Sequence, residues 1–249
     1  MHAIRTDIQT LNKQNPAPFS GDIIHNYGTY LRTHELHLKD HADHYVASIP
    51  LDQVVGIDQM YGDDATWGEC LEGRWLKRLD RRLAELENHP QYYLSEEELH
   101  NLSFIKIEDK YFIRAGKHRT IIARFLAHFN PDVFNDRSPF ALAKVTEYYI
   151  DTEFTSFKER FAAVADHYPS LTFELQHTTN ENDLHFLLVK EKEASRKIEV
   201  FSRAQAFQVL DALENPSIKA KWQSRHVYRS SNIYSFIPYR TCFQALFGQ

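Results

Sequence analysis

The feature that most limits what this chain can fold into lies at residues 104–129, where two short β-rich segments, a glycine and a helical repeat follow one another without a spacer. Phe104-Ile105-Lys106-Ile107 alternates apolar with polar residues, and Tyr111-Phe112-Ile113 is an aromatic and β-branched run. Both patterns fit half-buried strands, and the polar Glu108-Asp109-Lys110 between them makes the pair a hairpin. From Ile121 the period changes. Ile121, Ile122, Phe125, Leu126 and Phe129 recur at helical spacing, with Thr120, Arg124 and His128 on the opposite, polar side. Asn130-Pro131 then stops the helix.

A strand that passes through glycine straight into a helix builds a place for an anion. The amides of the first helical turn have no acceptor inside the helix, and the helix dipole adds partial positive charge there. Gly116 has no Cβ and accepts positive φ, so a phosphate is expected to approach its backbone. Lys117, His118 and Arg119 add cations at that point, and the planar arginine fork suits phosphate oxygens. The same letters also fit a plain connection with Lys117 and Arg119 in water and His118 capping locally.

The wider order of elements resembles the ParB/sulfiredoxin superfamily over residues 45–150. The residues that carry the resemblance are an entering strand at Val46–Pro50 with Leu51-Asp52-Gln53-Val54 behind it, a helix, the strand at Phe104, a strand ending in Gly116-Lys117-His118-Arg119, a helix, and a closing strand at 143–148. A Gly-x-His-Arg or Gly-x-x-Arg turn at this place is that family's shared mark, and there it binds nucleotide phosphates. The resemblance implies a ParB/sulfiredoxin-like α+β domain and a nucleoside triphosphate ligand. It also implies a setting in plasmid, phage or defence-related DNA processes, since relatives include nucleotide-switched DNA clamps, small-molecule kinases and nucleases. Sulfiredoxins carry a reactive cysteine where Lys117 stands, so sulfinic-acid repair is not expected. The arginine-rich turn of chromosome-partitioning ParB is matched only in part, and no helix-turn-helix pair follows.

Three segments are expected: an arm or helix at 1–44, the ParB/sulfiredoxin-like domain at 45–150, and a small α+β domain at 151–249. A chain of 249 residues that is 43% hydrophobic and 25% charged has enough apolar material for a sizeable core. Its net charge of −5 provides no global field for DNA, so any nucleic-acid contact must be local. Two distant cysteines, Cys70 and Cys242, show no zinc spacing. With no basic start leading into an apolar run, the location expected is the cytoplasm.

Other residues stand out along the chain. His34, His37, His41 and His44 recur every three or four positions, and on a helix His37 with His41 has the one-turn spacing that holds zinc or nickel, although a polar helical face, or a mixed loop and strand, in a chain of 14 histidines gives the same pattern. Residues 56–68 read as a loop, and its place after the first strand puts it, as the resemblance implies, near the glycine turn. Asp58, Asp64 and Glu69 are there the candidates to hold magnesium on a nucleotide or to act as general base, with His118 beside the transferring oxygens. Loops also use aspartate simply to turn. Trp75, Leu76, Leu79, Leu83 and Leu86 predict an amphipathic helix edged with basic residues, of which Arg74, near its start, is placed closest to a nucleotide. Ser95-Glu96-Glu97-Glu98 predicts a further short acidic helical turn.

After Ile150, Ser156 with Glu159 and Ser202 with Gln205 read as capping boxes opening two helices, with strands at 171–176, 184–190 and 198–201 between them. The last thirty residues interleave Lys219, Lys221, Arg225, Arg229 and Arg240 with Trp222, Tyr228, Tyr234 and Phe243, a pattern suited to DNA or single-stranded nucleic acid. The function expected is nucleotide binding with hydrolysis or transfer of phosphate. The alternatives are a non-enzymatic DNA- or protein-binding module, or a metal-dependent nuclease using the same turn.

Overall fold

A computed structural model of the chain describes residues 4–95, 97–135, 137–168, 171–175, 177, 187–191 and 198–217. The basic and aromatic stretch from Lys219 onward, the Thr178 to Asp183 loop and Cys242 lie outside the described residues. The chain divides into two units, Met1–Ile150 and Asp151–Gln249. Both combine helices with a sheet, and the molecule is α+β.

In the first unit the order is α1 (Ile8–Gln14), β1 (His25–Asn26), α2 (Tyr27–Thr33), β2 (Leu38–Ala47), a 3-10 turn at Leu51–Gln53 and β3 (Val54–Ile57). Next come α3 (Trp67–Leu71), α4 (Leu79–Asn88) and a second 3-10 turn at Pro90–Leu94. β4 (Glu98–Ile107), β5 (Lys110–Ala115), α5 (Lys117–Phe129), α6 (Pro131–Phe134) and β6 (Leu142–Ile150) complete the unit. The six strands form one mixed sheet in the order β1-β3-β5-β4-β6-β2. β3 runs parallel to β5, while β4 is antiparallel to β5 and parallel to β6. That arrangement brings the ends of β3 and β5 and the beginning of β4 to one edge of the sheet, with Ile57 opposite Ile113 and Ser103 opposite Ala115.

The 104–129 pattern folds as its periodicity requires, with a hairpin, Gly116, and a helix that ends at Asn130. Of the expected polar face of α5 only His128 is exposed, however. Thr120 is fully buried, and its amide and hydroxyl both donate to the Gly116 carbonyl at 3.0 and 3.2 Å. The Arg124 guanidinium lies 4.3 Å from the Phe19 ring and 4.1 Å from the Trp67 ring, and donates to the Val54 carbonyl at 2.8 Å. Burial pulls that guanidinium down to about 10. α5 is the central helix of one sheet face, wrapped by α1, α3, α4 and α6, because the 1–95 segment folds back over its polar side. The arm expected at 1–44 has a core role: Ile8, Ala17 and Ile24 are buried in the same cluster as Phe125 and Leu126. Asn130 ties the arm down by accepting from the Arg5 amide at 2.7 Å and donating to the Arg5 carbonyl at 3.0 Å. The opposite sheet face is covered by Tyr27, Tyr30 and Leu31 of α2, packed on Ile105, Ile107 and Phe112.

Several local readings need correction. β3 lies inside what reads as the exit of a first strand and the start of a loop. Gly56 is needed there because a Cβ would meet the His25 carbonyl at 2.3 Å and the Phe112 ring at 2.5 Å. The helix expected from Arg74 begins at Leu79, and Trp75 sits before it with φ of +65°. Where a short acidic helical turn is expected, Ser95 is extended and Glu98 already belongs to β4. The histidine segment is mostly an edge strand, not a helix, because β2 pairs antiparallel with β6 over Ala42–Ala47.

The second unit is α7 (Thr152–Ala165), β7 (Leu171–Leu175), β8 (Leu187–Glu191), β9 (Ile198–Phe201) and α8 (Arg203–Glu214), with an antiparallel sheet in the order β7-β8-β9. Phe154, Phe157, Phe161, Leu187 and Leu210 fill its core. α7 is capped by Asp151, which accepts from the Phe154 amide at 3.1 Å, so Ser156 and Glu159 lie inside the helix and do not open it. The Ser202–Gln205 capping box at the head of α8 is present as the sequence predicts.

Candidate functional site

Gly116 is the N-cap of α5, with φ of +94°, and no side chain caps the helix. A residue with a Cβ would be strained at that angle. It would also bring the Cβ within 2.6 Å of Leu102 Cδ1 and 3.2 Å of the Asn101 carbonyl. The glycine therefore serves a different purpose from the one its sequence suggests. Its Cα side is filled by β4, and what remains for an anion is the end of the helix, not the glycine face. Thr120 is the first α5 residue whose amide reaches back to the Gly116 carbonyl, so the amides of the first turn precede the helix's own acceptors. No acid occurs in that turn.

The three cations diverge from this point. Lys117 turns toward the loop after β3, where its Nζ donates to Gln59 Oε1 at 3.1 Å and to the Tyr61 hydroxyl, and lies 4.8 Å over the Tyr61 ring. Tyr61 stacks its ring on Trp75 at 4.3 Å. Arg119 turns the other way and donates to the Tyr92 hydroxyl and the Asn101 carbonyl, both at 2.8 Å. His118 faces α4. Its Nε2 is buried with no partner among the described residues. Burial, then the nearby Lys117, Arg82 and Arg78 charges, hold its imidazole below the ordinary histidine value, so near neutral pH it is uncharged.

The parallel pairing of β3 with β5 brings the start of the following loop, Gln59 and Tyr61, beside the turn. The side chains that reach Lys117 are Gln59 and Tyr61, not carboxylates. Asp58 donates its amide to the Ile113 carbonyl at 2.9 Å, and its carboxylate acts on Tyr27, whose hydroxyl is raised to about 12 by burial, Tyr148 and Asp58. Asp64 is exposed. Glu69 is committed to a capping box with Thr66 and, with Asp63, to Arg74; the Arg74–Glu69 contact is 2.6 Å. Arg74 is thus held by two carboxylates, and both it and Lys117 act on the buried Cys70 thiol, which burial raises to about 12.

His37 and His41 do not form a pair on a helix. His41 stacks on Tyr149 at 5.4 Å, while His44 bonds the Thr146 hydroxyl at 3.2 Å. No group of three or more potential metal ligands occurs among the described residues. No helix among them is long and apolar enough to cross a membrane.

The sequence reading missed Gln59, Tyr61, Tyr92 and Asn101, which hold the cations in place. The signal available for the first two was the β-branched Val54-Val55 pair before Gly56, which marks a strand ending beside the turn. Tyr92 and Asn101 carried none, because they reach Arg119 only through the packing of β4. On the α4 side, Arg119 also lines a cleft of about 590 Å³ together with Arg82, Leu86, Tyr92, Glu97 and His100. Comparison with protein-family models, with curated proteins and with solved structures finds no match to this chain.

Proposed function

We propose that this chain binds a nucleotide through its phosphates at the head of α5, as the resemblance to the ParB/sulfiredoxin superfamily implies. The observation that carries the reading is an uncapped helix start with Lys117 and Arg119 on its two sides and no acid in its first turn. Such a helix end is stabilised by an anion that accepts from its amides and meets its dipole. The site lies where the parallel strands β3 and β5 end, the usual ligand edge of open α/β sheets. Lys117 and Arg119 are engaged by neutral partners, so exchanging them for phosphate oxygens requires no ion pair to break.

Magnesium fits this reading in a limited way. The ion commonly takes one or two carboxylates together with phosphate oxygens, and Asp58 and Asp64 are the loop carboxylates not tied to Arg74. Bound there, magnesium would neutralise phosphate charge during hydrolysis or transfer. His118, neutral and shielded, would hold a proton only once phosphate has offset the surrounding cations.

Binding without turnover, as in a non-enzymatic DNA- or protein-binding module, is the second reading. The closed Asp63–Arg74–Glu69 cluster favours it, since it occupies two of the groups a phosphotransferase site would use. Thermal unfolding with ATP, CTP and GTP, with and without magnesium, tests the proposal. A nucleotide at about a hundred times its dissociation constant adds about 2.7 kcal/mol. Arg119→Ala is expected to abolish that shift and leave the unliganded melting temperature nearly unchanged. A full shift in the variant counts against the assignment. Release of inorganic phosphate from the bound nucleotide separates the enzyme from the binding module, and chelator-sensitive cleavage of plasmid DNA would point to the nuclease.

A further inference from the structure

The cleft between α4, the Pro90–Leu94 turn and the start of β4 has no role in gripping phosphate, yet Arg119 belongs to both places. Its guanidinium lines the cleft and bonds the Tyr92 hydroxyl, while its backbone sits in the first turn of α5. We infer that this cleft receives the nucleoside end of the ligand, with the base stacked on Tyr92 and its edge met by Glu97. The inference rests on the phosphate reading of the Gly116 turn and adds to it a position and a class of base.

The cleft volume of about 590 Å³ falls inside the range of about 300–1,000 Å³ typical of small-molecule sites. Its floor is apolar, with Leu86 and Tyr93 both buried. Tyr92, by contrast, is 39% exposed, and Tyr93 meets it edge-on at 5.1 Å. Among the aromatic rings near the turn, Tyr61 is not available for a base, because Lys117 lies over it and Trp75 stacks on it. Tyr92 is therefore the ring left for a base to stack on, and base–aromatic stacking needs only a π face.

The edge of the base is set by charge. Glu85 is spent on Arg81 and Arg82, and Glu98 pairs with Lys144 at 3.5 Å. The Glu97 carboxylate has no described ion pair or side-chain hydrogen bond, and a carboxylate only accepts. It suits an exocyclic amino group, which adenine, guanine and cytosine carry and uracil lacks. His100 stands beside it on the same wall. The ligand class assigned is an amino-bearing nucleoside triphosphate, with Arg119 at the junction of base site and phosphate site.

Calorimetric titration of the full chain with ATP, UTP and inorganic tripolyphosphate tests this. ATP is expected to bind at least about tenfold more tightly than tripolyphosphate, the effect of one stacked base. UTP should fall between them. Tyr92→Ala should erase the ATP advantage over tripolyphosphate, while Tyr92→Phe, which loses the same hydroxyl on Arg119 but keeps the ring, should preserve that advantage. Glu97→Ala, which removes the acceptor, should bring ATP down to the level of UTP. Equal affinities of the wild-type chain for ATP and tripolyphosphate, or a Tyr92→Ala variant that keeps the ATP advantage, would overturn the base site and leave the phosphate reading standing. If the wild-type chain binds neither ligand, the phosphate reading fails and takes this inference with it.

Discussion

The molecule makes the same connection twice and finishes it in opposite ways. In each unit a strand passes through one residue into a helix: β5 through Gly116 into α5, and β9 through Ser202 into α8. At α8 the head of the helix is closed. Ser202 accepts from the Gln205 amide, Gln205 accepts from the Ser202 amide, and the first helical residue, Arg203, is neutralised by Asp151 and Glu153. At α5 nothing caps the helix, and Lys117, His118 and Arg119 follow without an acid. A capping box is the cheaper way to satisfy orphan amides, generally contributing about 1 kcal/mol over alanine. That one helix start uses this device and the other does not leaves the α5 amides open to the proposed ligand; α1 and α4 also start without a side-chain cap, and what sets α5 apart is Lys117 and Arg119 at its head.

Four experiments would break or sharpen this contrast. The largest effect is expected at the closed end. Asp151 is 1% exposed, bonds Arg203 through both carboxylate oxygens, and caps α7. Asp151→Ala leaves the Arg203 guanidinium without that partner and should cost about 3 kcal/mol, read as lost hydrogen-exchange protection in α7 and α8 with β5 and α5 unaffected. The same carboxylate sets an acid limit. Burial alone would raise it, but Arg203, the Phe154 amide and His177 bring it from 3.8 to about 2. Because the folded value is the lower one, its contribution is complete above 3.8 and is lost as pH falls from there through about 2.

Gly116→Ala comes next. It combines a left-handed φ with a Cβ 2.6 Å from Leu102, and a loss of about 1–3 kcal/mol is expected in urea unfolding. A variant as stable as the parent would show that the turn can adopt another conformation. Ser202→Ala should cost about 1 kcal/mol and, unlike Gly116→Ala, leave nucleotide binding intact. The smallest effect concerns His118, whose folded value lies below the ordinary 6.5. Its contribution is full above 6.5 and falls away as pH drops through the lower folded value, so the unliganded chain should melt earlier at pH of about 5.5 than at about 7.5. Tripolyphosphate should shrink that difference by making protonation of His118 favourable, and His118→Gln should reduce it to the part that burial of His128 contributes in the same direction.

Legibility in the sequence followed the range of the interactions. The hairpin, the Gly116 turn, the span of α5 and the Ser202–Gln205 box are written in residues no more than a few positions apart, and each folds as read. The histidine repeat left helix and mixed loop-and-strand readings both open, because its three- and four-residue spacing satisfies a helix, and the pairing of Ala42–Ala47 with β6, about a hundred positions away, decided for the strand. Trp75 misled similarly: its apolar character continues the α4 stripe, but its ring is used against Tyr61 and its backbone adopts φ of +65°. At the candidate site the residue types were visible and their directions were not. Lys117, His118 and Arg119 are consecutive, yet Lys117 and Arg119 take their partners from residues 59–61 and 92–101, and His118 turns to the charges of Arg78 and Arg82.

The sequence by itself determined that an unblocked helix would follow Gly116 and carry three cationic residue types at its head. Only the tertiary structure decided that β4 closes the glycine face, that Phe19 and Trp67 bury the Arg124 side of α5, and that the cations part to opposite sides. The physical reason is that φ, caps and periodicity are set by neighbours along the chain. Burial and hydrogen-bond partners are set by whichever distant segments the packed sheet brings alongside.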